Sequence, residues 1–186
     1  MFKRIVSFLF LTIVSVGCDS RDLERLTSSV SDPEKKTIDQ SILGVNNFYV
    51  NSSIGTIDQQ NNDIKNTLGL KYVRVLFAWT DDVQRNSDDA AFVGFYDEII
   101  RKIPEGMDVL VVVAHSPSWI TDSANWIDGN PRKTWINRWF KPLVKRYAGN
   151  PRIVGWEIWN EPDLTVVPAD AVLGLEDANN YYEMLE

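Results

Sequence analysis

Asn160, Glu161 and Pro162 close an apolar run, IVGWEIWNEPDL at residues 153–164, that otherwise reads as a buried strand of a parallel sheet. A carboxyl group beside an amide and two tryptophans at the end of such a strand is a candidate proton donor, because poorly solvating neighbours raise the pKa of a carboxyl. Side chains alternate along a strand, so Glu157, Trp159 and Glu161 would share a face if the strand stayed regular, with Asn160 turned away. Pro162 ends that regularity. It cannot donate to a ladder and it favours an extended Glu161, so the strand is expected to stop here, with Asn160 and Glu161 both reaching the open end of the sheet. On the residues alone, a structural cap competes with a catalytic role for Glu161. Arg74 lies in a second apolar run, LKYVRVLFAW, where a buried guanidinium needs a carboxylate partner, and Glu157 is a candidate. His115 closes a third run, MDVLVVVAH, where the residues alone read as a satisfied strand-end histidine.

These residues need a scaffold that brings strand ends together. Beyond residue 40 the pattern alternates between strand and helix. SILGVNNFYV reads as a first strand, and TIDQQNNDIKNTLG as a helix with Asp58 near its start and Gly69 as its C-terminal cap. LKYVRVLFAW is a second strand. Phe92, Phe95, Ile99 and Ile103 recur at helical spacing behind an N-cap at Ser87 or Asp88, and Pro104 ends that helix. MDVLVVVAH, apolar without alternation, is a third strand covered on both faces. Trp135, Trp139, Leu143 and Tyr147 fall at intervals of four in a helix ending at Gly149, with Pro142 predicting a kink or break around residues 138–141. The run that ends at Glu161 is the fourth strand, and EDANNYYEMLE a fourth helix. The sequence is therefore expected to be α/β, with a parallel sheet and helices outside it. Units of about 35 residues suit either a doubly wound sheet or the first half of an eight-fold barrel. The missing glycine-rich phosphate loop after the first strand weakens the nucleotide-binding sheet.

Composition narrows the partners. The chain has 186 residues, 44% hydrophobic and 24% charged, enough for a folded domain with a real core. A formal net charge of -7 argues against nucleic acid, whose phosphates call for clustered Lys and Arg. Seven Trp, six Tyr and eight Phe are many. Most are expected in the core, but exposed aromatic faces also stack on flat, partly apolar ligands such as sugar rings, and Trp79, Trp119 and Trp126 are open to either reading. One Cys and one His leave no internal disulfide framework and no multi-histidine or thiolate metal site, so neither metal nor cofactor is expected.

At the amino terminus MFKR precedes IVSFLFLTIVSVG and then Cys18, a basic segment followed by an apolar run too short to span a bilayer comfortably. It resembles a bacterial lipoprotein signal over residues 1–18, with Ser15 where leucine is usual. That resemblance implies a lipid on Cys18, membrane attachment through it, and a secreted or cell-envelope location. Residues 19–40 are polar and mixed in charge, as in a solvated tether. Residues 41–186 hold the alternating pattern, and the oligomeric state is not legible.

The octapeptide WEIWNEPD, residues 156–163, resembles the fourth-strand signature of the retaining glycoside hydrolase clan built on the (β/α)8 TIM barrel, which includes cellulases, mannanases, β-xylosidases and β-glucosidases. The resemblance implies that Glu161 is the general acid/base and that Asn160 bonds the 2-hydroxyl of a sugar. YVRVLFAW resembles the second strand, which makes Arg74 the arginine that supports the nucleophile. VVVAHSPSW resembles the third, where His115 and Trp119 would line the sugar site. A carbohydrate substrate and hydrolysis of β-linked oligo- or polysaccharides follow as expectations. The clan's nucleophile is a glutamate after the seventh strand, and a whole barrel takes about 250 residues, so the chain is expected to hold the first four β/α units, truncated and inactive alone. A non-catalytic glycan-binding lipoprotein, and an unrelated doubly wound domain for protein interactions, are the competing function classes.

Overall fold

The computed structural model describes residues 37–50, 54–164 and 166–186. Cys18, the leader around it and most of the tether lie outside these residues. From residue 39 onward the chain forms one unit. Its four strands are β1 (Gly44–Asn46), β2 (Tyr72–Ala78), β3 (Asp108–Ala114) and β4 (Ile153–Ile158), all parallel and hydrogen-bonded in chain order. Helix α1 (Ile57–Asn62) continues into a π-helical turn at Asp63–Thr67 and follows β1; α2 (Gly94–Lys102) follows β2. Helix α3 follows β3 and runs through Pro131–Trp135, a π-helical turn at Ile136–Phe140, and Lys141–Arg146. Two short helices, α4 (Pro168–Ala171) and α5 (Ala178–Leu185), follow β4.

Strands that succeed one another in chain order, with their crossover helices on one face, build the wall of a (β/α)8 barrel; a doubly wound sheet reverses its order and is covered on both faces. Val73, Val75 and Phe77 of β2 and Val109, Val111 and Val113 of β3 are wholly buried, whereas Tyr72, Arg74, Leu76 and Ala78 on the opposite face of β2 are half open. The buried face is the helix side. Phe77 stacks on Tyr96 of α2 with centroids 4.3 Å apart, and Trp156 of β4 meets Phe140 of α3 edge-on at 6.1 Å. Trp135, Trp139, Leu143 and Tyr147 all point into this layer and are at most 9% exposed, as their spacing predicts.

Two local expectations need correction, and a third takes a particular form. The first strand is only three residues long, with a 3-10 turn at Gln40–Ile42 before it. Helix α2 begins at Gly94, not at Ser87 or Asp88, because the Gln84 side chain ties down the carbonyls of Ser87 and Asp89 and the Phe92 N–H donates to the Val83 carbonyl. The irregularity expected near Pro142 is a π turn and not a break in α3. The π turn ahead of it shifts the ladder, so that the Lys141 N–H reaches back five residues to Ile136, and the helix absorbs a proline that has no N–H to give. By contrast α1 starts and stops where expected. Thr56 and Gln59 form a reciprocal capping box that places Asp58 in the first turn, and Gly69, at φ +68°, lets the Leu70 N–H close onto the Ile64 carbonyl.

Gly44 carries β1 against β2. A Cβ there would lie 2.8 Å from both the Cβ and the carbonyl oxygen of Tyr72. Gly44→Ala is expected to destabilise the chain by about 1–3 kcal/mol through overpacking, read as a lower urea midpoint at unchanged slope.

Candidate active site

The carboxyl end of the sheet is where β4 stops being a strand. Its ladder closes with the Trp159 N–H on the Val113 carbonyl at 2.8 Å. The backbone then takes positive φ at Trp159 (69°) and again at Glu161 (52°). Such conformations cost a non-glycine residue about 1–3 kcal/mol each and persist only where the surroundings over-determine them. Glu161 is therefore not extended, as its neighbour Pro162 suggested. Its carbonyl accepts the Leu164 N–H at 3.0 Å, closing a four-residue turn with Pro162 in second position, and that turn wins over the local preference. Trp159 also leaves the face of Glu157. It is buried, with its ring 5.8 Å from Trp135 and 6.2 Å from His115.

Arg74 organises what remains on the open face. Its Nε donates to Oε2 of Glu157 at 2.8 Å and its Nη2 to Oε1 at 2.6 Å, a bidentate pair between β2 and β4. Nη2 also donates to Oδ1 of Asn160 at 2.9 Å, and Nη1 to Oδ1 of Asn46 in β1 at 3.2 Å. A guanidinium only donates, so the Asn160 amide must turn its oxygen to Arg74 and its nitrogen away. That nitrogen donates to Oε2 of Glu161 at 3.2 Å. Arg74, Asn160 and Glu161 are thus brought together, and the suspected partner of Arg74 is indeed Glu157. The hydrogen bonds that Arg74 donates to Glu157 hold that carboxyl below its ordinary value and raise the guanidinium above its own.

His115 lies at the end of neighbouring β3, with φ +66°. Its Nδ1 is 2.8 Å from Oδ2 of buried Asp170 in α4, a bond that raises the His115 pKa against the opposing effect of burial. Trp119 stands apart. Its indole N–H donates to the Gln84 carbonyl, its ring meets Trp79 edge-on at 5.2 Å, and the Arg138 guanidinium lies over it at 5.5 Å. No hydrogen bond or ring contact joins it to Glu161 among the described residues. Trp79 is wholly buried and Trp126 spends its N–H on the Ile120 carbonyl, so both serve packing and loop closure. Asn46 and Asp170 escaped the sequence reading. Nothing in GVNN marks one asparagine over the other, and Asp170 lies in a helix too short for periodicity to announce. Among the described residues no cluster of three or more His, Cys, Asp or Glu is arranged to hold a metal ion. The cluster can hand a proton to a ligand or take one back through Glu161, while Asn160 and His115 offer polar contacts beside it.

Residues 30–184 match the cellulase family, glycosyl hydrolase family 5. An endoglucanase of Paenibacillus polymyxa is 27% identical over 114 residues, covering 57% of this chain and 28% of that protein. The solved structure of a family 39 glycoside hydrolase from the gut symbiont Bacteroides cellulosilyticus WH2 superposes with a TM-score of 0.51 at 20% identity, covering 76% of this chain and 28% of that one, and so shares the fold. The chain thus spans just over a quarter of the length of either relative.

Because the folded Glu157 carboxyl sits below its ordinary value of 4.5, the pair with Arg74 contributes its full stability above that pH and loses it as the pH falls through the lowered folded value. Asp97, paired with Arg146, and Glu183, paired with Arg132, act in the same direction. These three carboxylates should leave the unfolding midpoint level from pH 7 to about 4.5 and lower it below, while the raised His115 adds stability as the pH falls through its folded value. Glu157→Gln should cost on the order of 1 kcal/mol at pH 7, discounted because the two side chains are 28% and 35% exposed, and should flatten part of the acid decline.

Proposed function

The chain belongs to the cellulase family, glycosyl hydrolase family 5, and from that membership we propose that Glu161 is the general acid/base of a retaining hydrolase acting on β-linked oligo- or polysaccharides. The observation that carries the reading is the Arg74 fork. One cation holds Glu157 and Asn160, and through the Asn160 amide it sets the Glu161 carboxylate at the mouth of the sheet. In the first step Glu161 gives its proton to the glycosidic oxygen while a second carboxylate attacks the anomeric carbon and the C–O bond to the leaving sugar breaks. In the second step Glu161, now a base, takes a proton from water, whose oxygen displaces that carboxylate and releases the sugar.

Glu157 is a poor candidate for the second carboxylate. Arg74 occupies both of its oxygens, and the ion pair lowers its basicity. The nucleophile is better placed on a strand outside the described sheet, at the spacing of about 5–5.5 Å that retention demands. In that sheet β1 and β4 have one neighbour each, and a closed barrel would pair both edges. The lipoprotein-like leader adds a cell-envelope location, with Cys18 as the lipid-bearing residue and the polysaccharide met outside the cell; incorporation of labelled fatty acid into the wild-type chain but not Cys18→Ser tests it.

The 186-residue chain alone is expected to give no measurable hydrolysis of carboxymethyl cellulose or cello-oligosaccharides. In a protein that carries the rest of the barrel, Glu161→Gln is expected to lower kcat by about 10²–10⁴ with little change in oligosaccharide affinity. Full activity of that variant would remove Glu161 from the chemistry, and binding without turnover in the unaltered protein would favour a glycan-binding role.

A further inference from the structure

His115 is gripped from two sides by residues that take no part in the Arg74 cluster. Its left-handed backbone is a conformation that a non-glycine residue keeps only where contacts fix it. The Trp135 indole N–H donates to its carbonyl at 2.9 Å, and Asp170 Oδ2 lies 2.8 Å from its ring Nδ1. Asp170 is 7% exposed, and its other oxygen, Oδ1, is buried with no hydrogen-bond partner. A carboxylate at that distance from a ring nitrogen is an acceptor, so the contact favours the tautomer with its proton on Nδ1. Nε2 is then the ring's remaining polar atom, without a partner among the described residues, on a side chain that is 42% exposed beside Trp159.

We propose that Asp170 is a positioning residue: it orients His115 and holds the proton on Nδ1, so that Nε2 meets a sugar hydroxyl at the carboxyl end of the sheet. The carbohydrate half of this rests on the glycosidase reading above; the coupling of the two side chains does not. Asp170 is the ionisable group whose charge acts on His115, while the rings packed nearest, Trp135 and Trp159, are neutral. Removing its charge would leave burial as the dominant influence, so the His115 titration should move below the ordinary 6.5 instead of above it.

His115 is the only histidine of the 186 residues, so its nitrogen resonances are unambiguous in a 15N-histidine-labelled chain. In the unaltered chain, above its titration, the ring should carry its proton on Nδ1, and its midpoint should lie above 6.5. Asp170→Asn should lower that midpoint and weaken binding of cellotetraose about tenfold, with cooperative unfolding retained. Addition of cellotetraose to the unaltered chain should shift Nε2 more than Nδ1. A proton found on Nε2 in the unaltered chain, which requires no variant to fold, would overturn the assignment of Asp170. An unchanged midpoint and affinity in Asp170→Asn would overturn it too. A correct tautomer with no response to cellotetraose would leave the coupling standing and overturn the sugar contact, and with it the reading of this mouth as a substrate site.

Discussion

One guanidinium fixes the geometry of the mouth. Arg74 sits mid-strand on the open face of β2 and spends its donors on β1, through Asn46, on β4, through Glu157, and on the loop beyond, through Asn160. The net energy of such a half-exposed cluster is modest, because desolvation and solvent screening offset most of the Coulombic gain. Its value lies in direction. A donor-only group with a planar fork admits one orientation of the Asn160 amide, and that orientation points the amide N–H at Glu161. The positive φ values at Trp159 and Glu161 become intelligible in the same terms. Between the last ladder bond and the turn at Pro162, three residues must bury a tryptophan, reach Arg74 and expose a carboxylate.

Behind the sheet the requirement is different, and the sequence meets it with rings. Contacts run without a gap from Phe95 through Tyr96, Phe77, Tyr147, Trp156, Phe140, Trp135 and Trp159 to His115. A second branch leads from Tyr96 through Trp139 and Trp79 to Trp119. Each pair adds about 0.5–1.5 kcal/mol beyond its buried area, and the rings together stiffen the helix layer on which the strands rest. Trp135 belongs to both faces. It packs in the core and gives its N–H to the His115 carbonyl, so the rigid layer reaches the edge of the site.

What could be read in the sequence follows the range of the interactions involved. The strands, the helix spacing of Trp135, Trp139, Leu143 and Tyr147, and the capping of α1 are local, and the chain spells them out. So is the end of β4 at the Asn-Glu-Pro triplet. The pairing of Arg74 with Glu157 was accessible because a charge inside an apolar run demands a counter-charge, and few candidates exist. The backbone of Glu161 was not, since the preference imposed by Pro162 yields to a turn bond from Leu164. Asp170 was hidden for a related reason. It meets His115 across 55 residues of chain, from a four-residue helix with no pattern of its own. Trp119 was singled out by its place in VVVAHSPSW, and its contacts with Gln84, Trp79 and Arg138, which reach across the chain, could not be read there.

The role proposed for Glu161 as proton donor is tested most directly by varying the need for its proton. In a protein carrying the complete barrel, Glu161→Ala should be compared on a dinitrophenyl β-glycoside, whose leaving group departs without protonation, and on an unactivated oligosaccharide. A proton-donating Glu161 predicts a small loss in the glycosylation rate for the first and a loss of about 10²–10⁴ for the second. Equal losses on both substrates, or none on either, would contradict it.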